Sequence, residues 1–166
     1  MEQDDQASAS APYAPLGQAA LRDFFLRYGR EFNEGLAGRL NRRALSDLYA
    51  EAFIASAPAG VVIGRNDSEF ARATSEGFRR YQDTGMKRME LEGVTVSSID
   101  ALHAIAHAAW NAVYTVEGGE KSIRFTNTYL LRLDALGALR VFGWITGDEE
   151  EAMRKHGIGD RPTTSS

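Results

Sequence analysis

The feature that most constrains this chain is a change of periodicity at Lys87. From there to Thr146 the sequence consists of β-branched and aromatic segments separated by turn residues, which predicts strands over about 87–98, 102–116, 122–133 and 138–146. The segment Ala101–Val113 is ambiguous by itself, because Leu102, Ile105, Ala106, Ala109 and Val113 also fit a helix and alanine favours one. It reads as a strand because Trp110-Asn111-Ala112-Val113-Tyr114-Thr115-Val116 runs directly into Glu117-Gly118-Gly119-Glu120, a hairpin turn.

Before Lys87 the spacing is helical. Leu21, Phe24, Phe25, Tyr28 and Phe32 form one apolar stripe at spacings of three and four between Leu16 and Phe32. Leu45, Leu48, Tyr49, Ala52 and Phe53 repeat the pattern up to Ala57-Pro58-Ala59-Gly60, which predicts a second helix. After Val61-Val62-Ile63, the run Asn66-Asp67-Ser68-Glu69 offers an N-cap, and Phe70, Ala73, Gly77, Phe78 and Tyr81 carry a third helix to about Asp83. Asp148–Gly157 places acids in a first turn and Arg154, Lys155 and His156 in a last turn, opposing the helix dipole at both ends. A short closing helix follows, and its acid run needs no metal or cationic partner.

The expected organisation is an acidic tail over 1–14, a single domain over 15–158 and a second tail over 159–166, the tails being poor in apolar groups. Net charge is −4, with Glu2, Asp4 and Asp5 in the first tail, so the body is close to neutral and nucleic acid is not an expected partner. There is no cysteine, which excludes disulfides, thiolate nucleophiles and cysteine metal sites. No apolar stretch approaches the roughly 18 residues of a membrane span, and the start lacks a secretory pattern, so a cytoplasmic protein with no membrane partner is expected.

If Gly118-Gly119 is a hairpin loop, Tyr114 faces Ile123 and Trp110 faces Asn127. If Ala135-Leu136 is the next tip, Leu131 faces Arg140, Tyr129 faces Phe142 and Asn127 faces Trp144. One sheet face then carries Ala104, Ala106, Ala108, Trp110, Ala112, Tyr114, Ile123, Phe125, Asn127, Tyr129, Leu131, Phe142 and Trp144. The other carries His103, Ile105, His107, Asn111, Val113, Arg124, Thr126, Thr128, Leu130, Leu139, Val141 and Ile145. A one-residue change in either loop, such as a bulge at Gly137, reverses part of this assignment.

Few residues carry a chemical signal. His103 and His107 would share a metal on a helix, but on a strand they stand about 13 Å apart at roughly 3.3 Å per residue, so no metal site is expected. Asp47 and Glu51 are four apart but lie off the apolar stripe of the second helix. The basic clusters Arg39, Arg42, Arg43 and Arg79, Arg80, Lys87, Arg88 accompany acids and follow no phosphate loop. Asn127 stands out, since an amide in an apolar strand face left unpaired costs on the order of 1–3 kcal/mol and must find partners or a wet cavity.

The order of elements over roughly 16–158 resembles the nuclear transport factor 2-like superfamily, which includes SnoaL-like polyketide cyclases and ketosteroid isomerases. Leu48-Tyr49-Ala50-Glu51-Ala52-Phe53 up to Pro58 is similar to the family's second helix and its turn. Thr128-Tyr129-Leu130-Leu131-Arg132 and Val141-Phe142-Gly143-Trp144 are similar to its last long hairpin. The resemblance implies an α+β fold, a cone-shaped curved antiparallel sheet wrapped around three N-terminal helices with a short C-terminal helix. It also implies a pocket between the concave face and the helices, and pairing through the other face. The isomerases would have a tyrosine on the first helix, here Tyr28, and a base aspartate before the proline, where this chain has Ala57. Tyr129 falls near the place of their strand acid, and the aspartate-arginine-aspartate set of the related epoxide hydrolases has no match.

These readings point to a SnoaL-like binding protein for a small hydrophobic or aromatic molecule, with no cofactor and no assigned catalytic residue. Its expected cavity is lined by Tyr28, Tyr49, Phe53, Trp110, Asn127, Tyr129, Phe142 and Trp144. A homodimer is expected through His103, His107, Asn111, Thr126, Thr128 and Leu130 on the outer face. Two alternatives stay open. One is a lyase or isomerase of polyketide- or steroid-like substrates, in which a tyrosine or an inward-turned histidine polarises an oxygen. The other is a dimeric interaction module whose cavity is closed by Trp144 and Phe53.

Overall fold

The computed structural model describes residues 15–159. The expected tails, Gly159 excepted, lie outside the described residues. Helices α1 (Gln18–Leu36) and α2 (Arg42–Ser46) lead into strands β1 (Tyr49–Ala57) and β2 (Gly60–Arg65). Helix α3 (Ser68–Asp83) follows, then β3 (Met86–Ser98), β4 (His103–Val116), β5 (Gly119–Leu133), β6 (Leu139–Ile145) and α4 (Glu149–Lys155). The strands form one sheet in the order β2-β1-β6-β5-β4-β3, antiparallel except where β1 runs parallel to β6. No helix of the described residues is long and apolar enough to cross a membrane.

Three helices precede the four long strands, as expected, but the second is five residues long and ends at Ser46. The helix expected through Leu48, Tyr49, Ala52 and Phe53 is instead β1, the first arm of a hairpin that turns at Pro58-Ala59 and returns as β2. Apolar residues at spacings of three and four fit a helix only while no partner strand competes. Here the edge of β6 hydrogen-bonds β1, and Val61-Val62-Ile63 supplies the β-branched return arm. Phe53 becomes an inward strand residue that packs on Phe70 and Trp144, with ring centroids 4.7 and 4.9 Å away.

The first long hairpin turns one residue earlier than expected. Val116 pairs with Gly119 around Glu117-Gly118, where Gly118 takes a φ of +86°. Tyr114 therefore faces Lys121 and Trp110 faces Phe125, a shift of two residues that leaves every side chain on its expected face. The second hairpin does change parity. Asp134 and Ala138 close a wider tip, Leu131 pairs with Val141, and a bulge at Phe142 restores the pattern so that Tyr129 faces Trp144. Val141, expected outside, is wholly buried inside. Phe142, expected inside, turns to the outer face, where its ring meets that of His103 at 6.0 Å.

Helix α1 lies against the inner face. Leu21 and Phe25 are fully buried, and the Phe25 ring sits 4.8 Å from that of Tyr129. The helix comes this close because residue 29 is glycine: a Cβ there would stand 3.1 Å from the Trp110 ring. Asn33 completes the seam by exchanging two hydrogen bonds with the backbone of Met89, at 2.8 and 2.9 Å, which satisfies that residue on the free edge of β3.

Candidate functional site

A cavity of about 530 Å³ lies between the inner face of β3–β6 and helices α1, α3 and α4. Its deep end is built by α1 and β5: Tyr28 and Phe32 descend from the helix, and Phe125, Asn127 and Tyr129 rise at alternate strand positions. Tyr81 of α3, Tyr114 of β4 and Trp144 of β6 close the sides, with Met86 and Met89 of β3. The mouth is formed by the stretch from Thr146 through Glu149, with Ala152 and Met153 of α4.

The deep end is a cluster of neutral hydroxyls. Tyr49, behind the cavity wall, donates to Tyr28 Oη at 3.0 Å, and the Tyr28 and Tyr129 rings lie 5.6 Å apart. Burial holds the phenol pKa of all three above the ordinary tyrosine value, and a charge on any one would be felt by its neighbours. The Asn127 amide and the Trp110 indole act on Tyr129 in the opposite sense, favouring its anion. Asn127 is 9% exposed and opens on the cavity, whereas the buried indole N–H of Trp110 makes no hydrogen bond of normal geometry among the described residues. This end thus offers hydrogen-bond donors that suit a carbonyl or hydroxyl oxygen held in an otherwise apolar space.

The mouth has the opposite character. Asp148 caps α4 by accepting from the backbone N–H of Glu151 at 2.8 Å. Glu149 accepts from the Tyr81 hydroxyl at 3.1 Å. Burial, then the charge of Glu149, raises the pKa of Tyr81 and pushes that of Tyr114 up to about 12.

Of the eight residues expected to line a cavity, the structure brings Tyr28, Asn127, Tyr129 and Trp144 together around this one. Tyr49, Phe53 and Trp110 form a layer behind it: Tyr49 packs on Trp144 and Phe70, and Trp110 is fully buried under Gly29. Phe142 is on the far side of the sheet and lines a shallow groove with Arg132 and Arg140. Register alone places Tyr114, Ile123 and Phe125 on the face that lines the cavity. Sequence reasoning missed Phe32, Tyr81, the two methionines and the whole contribution of α4. The one usable signal there was the amphipathic pair Ala152-Met153 within an otherwise charged helix.

On the outer face, His103 hydrogen-bonds Asp100 at 2.8 Å and His107 hydrogen-bonds Thr128 at 2.9 Å, both away from the cavity. Asn111, Thr128 and Leu130 share that face, half-buried, while the exposed Thr126 also reaches the cavity rim. Among the described residues no three histidine, aspartate or glutamate side chains gather as a metal site.

No curated protein matches the chain in sequence. Solved structures match its fold. An NTF2-like protein with a cystatin-like fold from Novosphingobium aromaticivorans is 19% identical, with 85% of this chain and 87% of that one covered at a TM-score of 0.60. A protein from Catenulispora acidiphila, solved in complex with S-DNPA, is 16% identical over 82% of this chain and 99% of that one, at a TM-score of 0.59. A ketosteroid isomerase-like protein from Erwinia carotovora atroseptica is 18% identical over 78% and 94%, at a TM-score of 0.54. At these identities the likeness is one of fold. The family model described as NTF2-like protein (DUF6841) matches residues 19–149, from α1 to the first turn of α4, and the chain therefore belongs to that NTF2-like family.

Proposed function

We propose that this protein binds a small, largely apolar or aromatic molecule in the cavity between sheet and helices. The observation that carries this reading is the cavity itself: about 530 Å³, walled by aromatic rings, with Tyr28, Asn127 and Tyr129 converging at its deep end. The Catenulispora acidiphila protein solved with S-DNPA shares the fold and adds support. Phe53 and Trp144 stack on each other to one side and leave the space open, which favours a ligand over a closed interaction module.

An enzyme in the same cavity is the second reading, favoured by the hydroxyls of Tyr28 and Tyr129 at its deep end. Its histidine version loses support, because His103 and His107 face the other way. Homodimerisation through the outer face is part of the proposal. Ile54, Ile63 and Ile145, each at least half exposed, extend the surface of Leu130 and Thr128 across β1, β2 and β6. A cytoplasmic location, testable by cell fractionation, completes it.

Native mass spectrometry of the purified protein, set against its denatured mass, tests ligand and subunit count in one spectrum. The expected result is a dimer carrying an added organic mass that Asn127→Leu abolishes while the far-ultraviolet spectrum is unchanged. Retention of the adduct by Asn127→Leu would move the site out of this cavity.

A further inference from the structure

The side chains around the cavity include no lysine, arginine or histidine among the described residues; the charged groups that line it are Asp148 and Glu149. Asp148 is engaged as the cap of α4. Among the described residues Glu149 accepts one hydrogen bond, from Tyr81 to its Oε2, and its other carboxylate oxygen accepts none. Each carboxylate thus keeps an oxygen with no hydrogen bond among the described residues, and of the two Glu149 is the one tied to an aromatic wall residue, Tyr81, at the opening of a chamber whose walls also include Phe32, Tyr114 and Phe125.

Two of the basic groups near the mouth are directed elsewhere. Lys121 donates to the backbone carbonyl of His156 at 2.8 Å, and Lys155 pairs with Glu151 at 3.1 Å. Arg80 is exposed on α3 and enters only as a weak influence on Tyr81. An anion entering the cavity would leave water for an aromatic wall with no cation to meet it, and would pass Glu149 on the way. An ammonium group gains on both counts, since it pairs with Glu149 and is attracted to the negative faces of the surrounding rings.

We propose that the cavity selects an amine: a molecule with an apolar or aromatic body, an oxygen acceptor for the hydroxyls at the deep end, and a positively charged nitrogen held at the mouth by Glu149. This rests on the cavity being the binding site. The geometry therefore assigns Glu149 a specificity role, that of counter-ion, and predicts that carboxylate-bearing analogues of the same shape are rejected.

The test uses three probes of one shape and different charge, naphthylmethylamine, naphthylmethanol and naphthoate, titrated calorimetrically into the full chain. The wild type is expected to bind the amine at least about tenfold more tightly than naphthoate, with naphthylmethanol between them and the preference shrinking as salt rises. Glu149→Gln should lower amine affinity toward that of naphthylmethanol and leave naphthylmethanol unchanged. Glu150→Gln removes the same charge from the first turn of α4 at a residue that does not line the cavity, and should change neither. If naphthylmethanol binds and the amine binds no better, or if both variants act alike, the charge selectivity is wrong and the cavity reading stands. Binding of none of the three probes overturns both.

Discussion

The two ends of the cavity are made of different material. The deep end is set into strands β4 and β5 and clamped by α1, with Trp110 wholly buried, Tyr129 at 3% exposure and Gly29 admitting the helix against the indole. The mouth rests on a seven-residue helix with no buried residue of its own. It is moored by the Tyr81–Glu149 and Lys121–His156 hydrogen bonds and by the buried Ile158 just beyond it. Emptying the packed layer behind the deep end is expected to cost stability, whereas a change at the mouth is expected to leave global stability nearly unchanged. Interior strands and short terminal helices occupy opposite ends of the range of local stability, so the two ends are expected to respond separately to substitution.

Alkaline pH should break the deep end most completely. The phenols of Tyr28, Tyr49, Tyr81, Tyr114 and Tyr129 are all raised above the ordinary tyrosine value near 10, chiefly by burial. A raised folded-state pKa means that the unfolded chain loses its protons first. The associated stability is thus fully present below pH 10 and is lost as pH climbs through 12, the value reached by Tyr114, and beyond. A phenolate absorbance titration should show these tyrosines ionising only together with loss of the folded far-ultraviolet spectrum. Independent, reversible ionisation near pH 10 would show that the deep end is open to water.

Trp110→Ala should be the most damaging single substitution at that end, costing about 3–5 kcal/mol in urea unfolding because the indole is enclosed on all sides. Tyr49→Phe removes only the hydroxyl that donates to Tyr28 and should cost about 1 kcal/mol in the same assay. At the mouth, Lys121→Ala releases the carbonyl of His156, and global stability should move by no more than about 0.5 kcal/mol. Amide exchange in α4 should nonetheless quicken, and an unchanged exchange rate would mean that Ile158 and the Tyr81–Glu149 bond moor the helix without Lys121. A Lys121 variant that destabilised the protein as much as the Trp110 variant would erase the distinction between the two ends.

The contrast also separates what was legible in the sequence from what was not. Helices α1 and α3 and the four long strands follow from spacing and caps that act locally, such as Asp67 accepting from the backbone of Glu69 and Phe70 at 3.0 Å each. The β1–β2 hairpin was misread because its strand character comes from β6, most of the chain away, while its own apolar spacing is equally helical. Phe142 and Val141 exchanged faces because the tip around Asp134 adds one residue to the register, and the bulge that corrects it leaves no mark in composition. Tyr28, Asn127 and Tyr129 were legible as cavity residues because they sit on elements whose parity survived those errors, and Trp144 because the bulge at Phe142 restores the parity of β6 before it. The share of α4 was barely legible: its charges fully account for a helix end, Ala152-Met153 is the one apolar hint, and packing alone shows these two and Glu149 at the cavity.

The parallel seating of β1 against β6 has a consequence for synthesis. Residues 49–56 can find their neighbour only after residues 141–145 have left the ribosome, so the β1–β2 arm waits through the synthesis of α3 and of β3 to β5 with Val61, Val62 and Ile63 exposed. Even in the finished fold those three side chains stay more than 60% exposed. The last strand thus completes the sheet, and a chain stalled before Leu139 would present an unpaired β-branched segment to any neighbour able to capture it.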